Sequence, residues 1–133
     1  MPWTTPTDRA TGYVVTAVDW NIIEDNLTFL YGDVAWTNMA GFTNSWTAVV
    51  SPNVPRYRLV GSLVTIQGAV TGGTVTTAII TLPAGYRPSQ TVVFGTSNGG
   101  STYAAISITS AGVVTQTAGT NTNLHLSCTF STL

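Results

Sequence analysis

A chain of 133 residues with 44% hydrophobic and 7% charged side chains fits one compact domain, with enough core to need neither disulfide nor metal staples. Ordinary soluble domains carry roughly 25% charge; here lysine is absent and the net charge is −1, which excludes a basic nucleic-acid footprint. Charge that sparse also predicts that partner subunits cover part of the surface, since a lone subunit normally needs charge to stay dissolved.

The charge is divided along the chain. All five acids (Asp8, Asp19, Glu24, Asp25 and Asp33) lie in the first 33 residues, offset only by Arg9. The rest holds Arg56, Arg58 and Arg87 and no acid. This division predicts an N-terminal part over residues 1–45, comprising an arm, a helix and a joining segment, and a β domain over 46–133. Residues 1–15 read as an irregular arm, because Pro2 and Pro6 discourage helix while Trp3 and Tyr13 want burial. No basic stretch followed by an apolar run opens the chain, and no stretch reaches membrane-span length. Neither a signal peptide nor membrane insertion is therefore expected.

One helix is predicted next. Thr16 is a fair N-cap with Asp19 three residues on, and Gly32 is a natural stop. Between them Trp20, Ile23, Leu27 and Leu30 recur at spacings of three, four and three, an a/d stripe two heptads long. Ile22, Phe29 and Tyr31 widen the apolar surface. A plain amphipathic helix packed on its own domain explains part of this. A short helix bundled about a symmetry axis explains the girth better, and Trp20, Ile23, Leu27 and Leu30 are the expected oligomerisation contacts.

Residues 45–50 read as a first strand, ended by Pro52 and Pro55. Residues 56–60 begin a hairpin. Residues 63–70 alternate apolar and polar groups and read as one half-buried strand. Gly72 and Gly73 are expected to turn it into a returning strand at 77–82, stopped by Pro83. Further strands are expected at 91–96, 103–109, 113–116 and 124–130. Polar loops join them at 97–101 and 117–123. Leu124, Leu126, Cys128 and Phe130 share one face of the last strand. Short strands with glycine-rich turns predict a mainly β fold: an antiparallel β-sandwich, jelly-roll-like, with a short N-terminal arm and one α-helix.

The inventory for catalysis is thin. His125 is the sole histidine, with its side chain opposite to Leu124 and Leu126, and every acid is at least ninety positions away. A surface or interface histidine is the ordinary reading; copies of it meeting an ion on a symmetry axis is the sharper one. Asp19, Glu24, Asp25 and Asp33 pair as glycosidase carboxylates only in principle, because three of them sit within seven helical residues. No phosphate-binding loop, dinucleotide pattern or zinc-type spacing occurs. Cys128 has no disulfide partner and reads as a small core hydrophobe, compatible with assembly in a reducing cytoplasm. No enzymatic activity, cofactor or metal is expected. Polar binding groups are left to loops. Asn98 and Asn121 offer amides suited to sugar hydroxyls, Tyr103 offers a ring, and Tyr86 and Arg87 follow the Pro83 turn. Packing at a subunit seam is the simpler reading of Tyr86 and Arg87, and ordinary solvated turns are the simpler reading of the polar loops.

Two stretches carry a family likeness. Gly61, Val64 and Gly68, then Leu82, Pro83, Gly85, Tyr86, Arg87 and Pro88, form a "G-x-x-V-x-x-x-G … LP-x-G-Y-R-P" pattern. With the "I-x-I-x-x-x-G-x-V" run at 106–114, it resembles the β-rich head domains of bacteriophage tail-fibre and other virion-surface proteins. Gly12, Val14, Thr16, Ala17, Trp20, Asn21 and Asn26 resemble the opening segment of small phage tail and virion proteins. The resemblance implies a small homotrimeric tail-fibre or tail-tip component that adsorbs to host-surface glycans or proteins. Its N-terminal region would attach to other virion proteins. A capsid decoration or head-fibre protein is the alternative it implies.

Overall fold

Helix α1 spans Ala17–Tyr31 in a computed structural model that describes residues 12–31, 34–100 and 102–133, with the backbone alone at 29–31. The arm residues Pro2, Trp3 and Pro6, the stop at Gly32, the acid Asp33 and the Leu30 side chain lie outside the described residues. The helix starts as its sequence dictates. The Asp19 N–H donates to Thr16 Oγ1 at 3.3 Å, and the Thr16 N–H donates back to Asp19 Oδ2 at 2.9 Å. This reciprocal box satisfies donors that the first helical turn leaves open. The Tyr13 hydroxyl adds a third bond to the same carboxylate at 2.7 Å. Such a cap fixes where the helix begins, not what covers it. Trp20, Ile23 and Leu27 remain exposed, Trp20 to 62%.

The chain divides into two units, Met1–Val34 and Ala35–Leu133. The second is built of strands: β1 (Thr37–Asn38), β2 (Thr47–Ala48), β3 (Arg56–Val60), β4 (Leu63–Gln67), β5 (Ala69–Thr71), β6 (Ala78–Thr81), β7 (Val92–Asn98), β8 (Thr102–Ile108), β9 (Val113–Ala118), β10 (Leu124–His125) and β11 (Cys128–Ser131). Among the described residues they form a four-stranded sheet, β1-β3-β4-β11, and a seven-stranded sheet, β2-β5-β10-β7-β8-β9-β6. Every pairing is antiparallel. Val64, Ile66 and Phe130 of the first sheet join Val70, Ile79, Ile106, Val114 and Leu124 of the second in one buried cluster. The fold is thus the expected antiparallel β architecture, two sheets sharing a core.

Two expected strands are each divided between the sheets. The stretch 63–70 breaks at Gly68, whose φ is +97°. A Cβ there would collide with the Val54 carbonyl and the Pro55 backbone. Leu63–Gln67 therefore stays in the four-stranded sheet, and Ala69–Thr71 enters the other. The stretch 124–130 divides likewise, β10 in the larger sheet and β11 in the smaller. The two crossings are tied together, the Leu126 N–H donating to the Gly68 carbonyl at 2.9 Å. Such corners let a strand serve both layers of a sandwich. Alternation survives the bend: Leu124, Leu126 and Phe130 are buried and Cys128 packs against the core.

The expected hairpin through Gly72 and Gly73 does not form. Strand β5 pairs with β2 and β10, while β6 pairs with β9 at the other end of the sheet. The turn is engaged by other segments instead. The Gly72 N–H donates to the Asn121 carbonyl at 2.9 Å and the Thr74 N–H to the Asn44 carbonyl at 3.0 Å. Gly73 lies under the Trp46 ring, where no Cβ fits. The hairpin expected to begin at 56–60 does form, joining β3 to β4 through Gly61 and Ser62.

Candidate functional site

The Leu-Pro-Ala-Gly-Tyr-Arg turn is a structural clasp. Leu82 is fully buried, and its N–H donates to the Gly112 carbonyl at 2.8 Å. Arg87 Nε donates back to the Leu82 carbonyl at 2.8 Å, with its side chain laid against Gly112. Any side chain at 112 would displace it. Tyr86 sets its ring edge-on to Tyr57, with centroids 4.8 Å apart. Burial, then the neighbouring Tyr86, raises the Tyr57 phenol above its ordinary pKa. Both members of this expected binding pair are thus engaged in holding the turn.

The amides at 98 and 121 are also engaged inward. Asn98 is buried. Its Nδ2 donates to the Thr120 and Thr122 carbonyls at 2.7 and 3.1 Å, and its Oδ1 accepts the Thr120 N–H at 2.9 Å. Buried Gln116 donates to the same Thr120 carbonyl at 2.6 Å. Asn121 Nδ2 donates to the Gly73 carbonyl at 2.9 Å. These bonds fasten the loop at 119–123 to strands on both sides of it and satisfy backbone carbonyls that no ladder reaches. Of the five residues singled out from the sequence, Tyr103 is the exposed aromatic. It is 68% exposed and covers Gly95 on the neighbouring strand.

A different group converges on the outer face of the four-stranded sheet. Register places Arg56 opposite Gln67, Arg58 opposite Thr65, and Thr65 opposite Thr129. Thr37 faces Tyr57, which brings Trp36 alongside Arg58. The guanidinium carbons of Arg58 and Arg56 lie 4.5 and 4.7 Å from the Trp36 ring centroid. Arg56 Nη2 also donates to Gln67 Oε1 at 3.2 Å. At the end of these rows, where the chain crosses between sheets, lies a groove of about 520 Å³. Arg56, Thr65, Gln67, His125, Ser127 and Thr129 line it, with Pro52 and Asn53 at one side. His125, on the opposite side of its strand from Leu124 and Leu126, thus joins a polar surface. Cys128 also borders the groove, but burial pushes its thiol pKa up to about 12. At neutral pH it is a protonated, inert group. Arg56 and Arg58 are two apart in a strand and so share a face. That spacing is the signal in the sequence; the ring that gathers them is twenty residues upstream.

No family model and no curated protein matches the chain. Solved structures do. The chain is similar to the head domain of the lactococcal phage bIL170, at 12% identity and a TM-score of 0.53, covering 76% of this chain and 100% of that one. It is also similar to the receptor-binding protein of Listeria phage PSA, at 20% identity and a TM-score of 0.56, covering 81% of this chain and 69% of that one. The fold is that of phage receptor-binding head domains. At these identities the likeness is one of backbone architecture, so the side chains of any site must be argued from this chain itself.

Proposed function

We propose that the chain is a phage virion protein, a small homotrimeric tail-fibre or tail-tip component that takes part in adsorption to the host surface. The observation that carries this reading is the shared fold with two proteins that are themselves named for receptor binding. The division of labour follows the two units. The helix gathers copies through Trp20, Ile23 and Leu27, which are exposed on it, and through Leu30, which continues their spacing. The N-terminal region attaches the assembly to other virion proteins, and the β unit meets a host glycan or protein. The protein is a binder rather than an enzyme: no aspartate or glutamate occurs after Asp33, so the β unit has no carboxylate side chain for hydrolytic acid–base chemistry. It is assembled in the host cytoplasm and acts on the virion.

Adsorption competition tests the reading. Saturating purified chain should slow adsorption of the particles that carry it to their own host strain. Adsorption at an unchanged rate would overturn it. Immunogold labelling of intact particles separates the positions: label at the tail supports the fibre, whereas label over the shell makes the protein a capsid decoration or head fibre.

A further inference from the structure

We infer that Asn98-Gly99 is a self-modification site that the fold holds shut. Once the loop at 119–123 leaves it, Asn98 deamidates through a succinimide, and the carboxylate so formed bars the loop from returning. The pair is the sole Asn-Gly dipeptide in the chain. Asparagine is a thermolabile residue, and glycine after it leaves the attacking nitrogen unhindered and its backbone free to turn. In the reaction the Gly99 backbone nitrogen gives up its proton and bonds to Cγ of the Asn98 amide. The five-membered ring closes as the Cγ–Nδ2 bond breaks, and ammonia leaves carrying that proton. Water then opens the ring at either carbonyl, giving aspartate or isoaspartate. The balance is one amide and one water to one carboxylic acid and one ammonia, with no electrons transferred.

In the folded chain one loop engages both reacting groups. Asn98 ends β7 and is buried. Its Nδ2 is held by the Thr120 and Thr122 carbonyls, and its Oδ1 by the Thr120 N–H. The Gly99 N–H, the nucleophile, donates to the Asn123 carbonyl at 3.1 Å. Gly119 packs so closely that a Cβ there would collide with Asn98 Oδ1 and Ala104. Ring closure requires all of these contacts to break, so the reaction waits on a local opening. The product cannot restore them. An amide offers a donor and an acceptor, whereas a carboxylate only accepts. The oxygen replacing Nδ2 would face the two carbonyls that Nδ2 now bonds at 2.7 and 3.1 Å. Gln116 already gives its Nε2 to Thr120, and its own buried Oε1 has no partner, so this cluster has acceptors in excess. No lysine or arginine follows Arg87 in the sequence, so neither the strands from β7 to β10 nor the loop supplies one to pair with the new charge. A buried charge left uncompensated is costly. Isoaspartate adds a further fault, one extra methylene in the main chain at the end of β7.

The test ages the full chain in mildly alkaline buffer, folded and in guanidinium chloride, and follows residue 98 by peptide mass spectrometry and isoaspartate methylation. Deamidation of the folded chain should run at least about a hundredfold slower, because modification through an opened state scales with that state's population. Gly99→Ala should slow it severalfold in the denatured chain, where the variant need not fold. For the second half, Asn98→Asp supplies one product directly and Asn98→Ala removes the same bonds without adding charge. Asn98→Asp should lower the denaturant midpoint and the exchange protection of the Thr120 amide further than Asn98→Ala does. Equal rates in folded and denatured chain overturn the inference, as does an unchanged denatured rate in Gly99→Ala. Asn98→Asp that keeps the midpoint and Thr120 protection of the parent, or matches Asn98→Ala in both, overturns the one-way step.

Discussion

The helix and the β unit solve the burial problem in opposite ways. In the β unit the large aliphatic groups of both sheets close on one another: Ile66, Ile79, Leu82, Ile106, Ile108 and Leu124 are all fully buried. The helix has its N-terminus finished by Thr16 and Asp19, yet Trp20 and Leu27 stand exposed. Burying an aliphatic or aromatic side chain of this size is worth roughly 1.5–3 kcal/mol. That stabilisation is still available to the exposed face of the helix, while the β unit already has it. The difference teaches that local hydrogen bonding defines a helix, whereas a covered apolar face requires something from elsewhere.

The comparison breaks most sharply at the corner of the sandwich. Gly68→Val places a β-branched residue at a positive φ and against the Val54 carbonyl. It should cost roughly 3 kcal/mol or more, read as a large fall in the midpoint of denaturant unfolding. Ile106→Ala empties a site in the middle of the core and should cost about 2–5 kcal/mol, leaving any helix-driven assembly of the folded fraction in place.

A smaller and opposite pattern is expected from the helix. Thr16→Ala removes the cap and should cost about 1 kcal/mol of helix stability, visible as loss of far-ultraviolet helical signal without a shift in the β transition. Alkaline pH sharpens the contrast from the other side. The Cys128 thiol titrates near 9.0 when unfolded and at about 12 when folded. Folded protein therefore holds the proton more tightly. The stability this contributes is complete below pH 9 and is lost as pH rises through 12. Tyr57, raised in the same direction, adds to the fall. Cys128→Ala should flatten that alkaline slope, measured by unfolding free energy against pH. A thiol reagent at pH 8 should label Cys128 only after unfolding.

Much of this was legible in the sequence, and the physical reason is distance along the chain. The capping box needs residues three apart, and the burial of Leu124, Leu126 and Phe130 needs only a period of two. Both are local, and both hold. The crossings at Gly68 and after Leu126 were not legible, because a glycine that ends a strand looks the same whether the chain turns back or changes sheets. The collision with Pro55 that decides it comes from a separate segment. Asn98 and Asn121 carry the amides a sugar site would use. Only the folded loop reveals that Thr120, Thr122 and Gly73 occupy them. Trp36 joins Arg56 and Arg58 through strand register, which composition does not encode.

The most direct test is the native mass of the full chain beside a Trp20→Ser, Leu27→Asp variant, compared at equal concentration with the β unfolding transition followed in both. The account predicts a trimer for the parent chain and a monomer for the variant, with that transition unchanged. A parent chain that stays monomeric at high concentration, its helix still exposing Trp20 and Leu27, would contradict it.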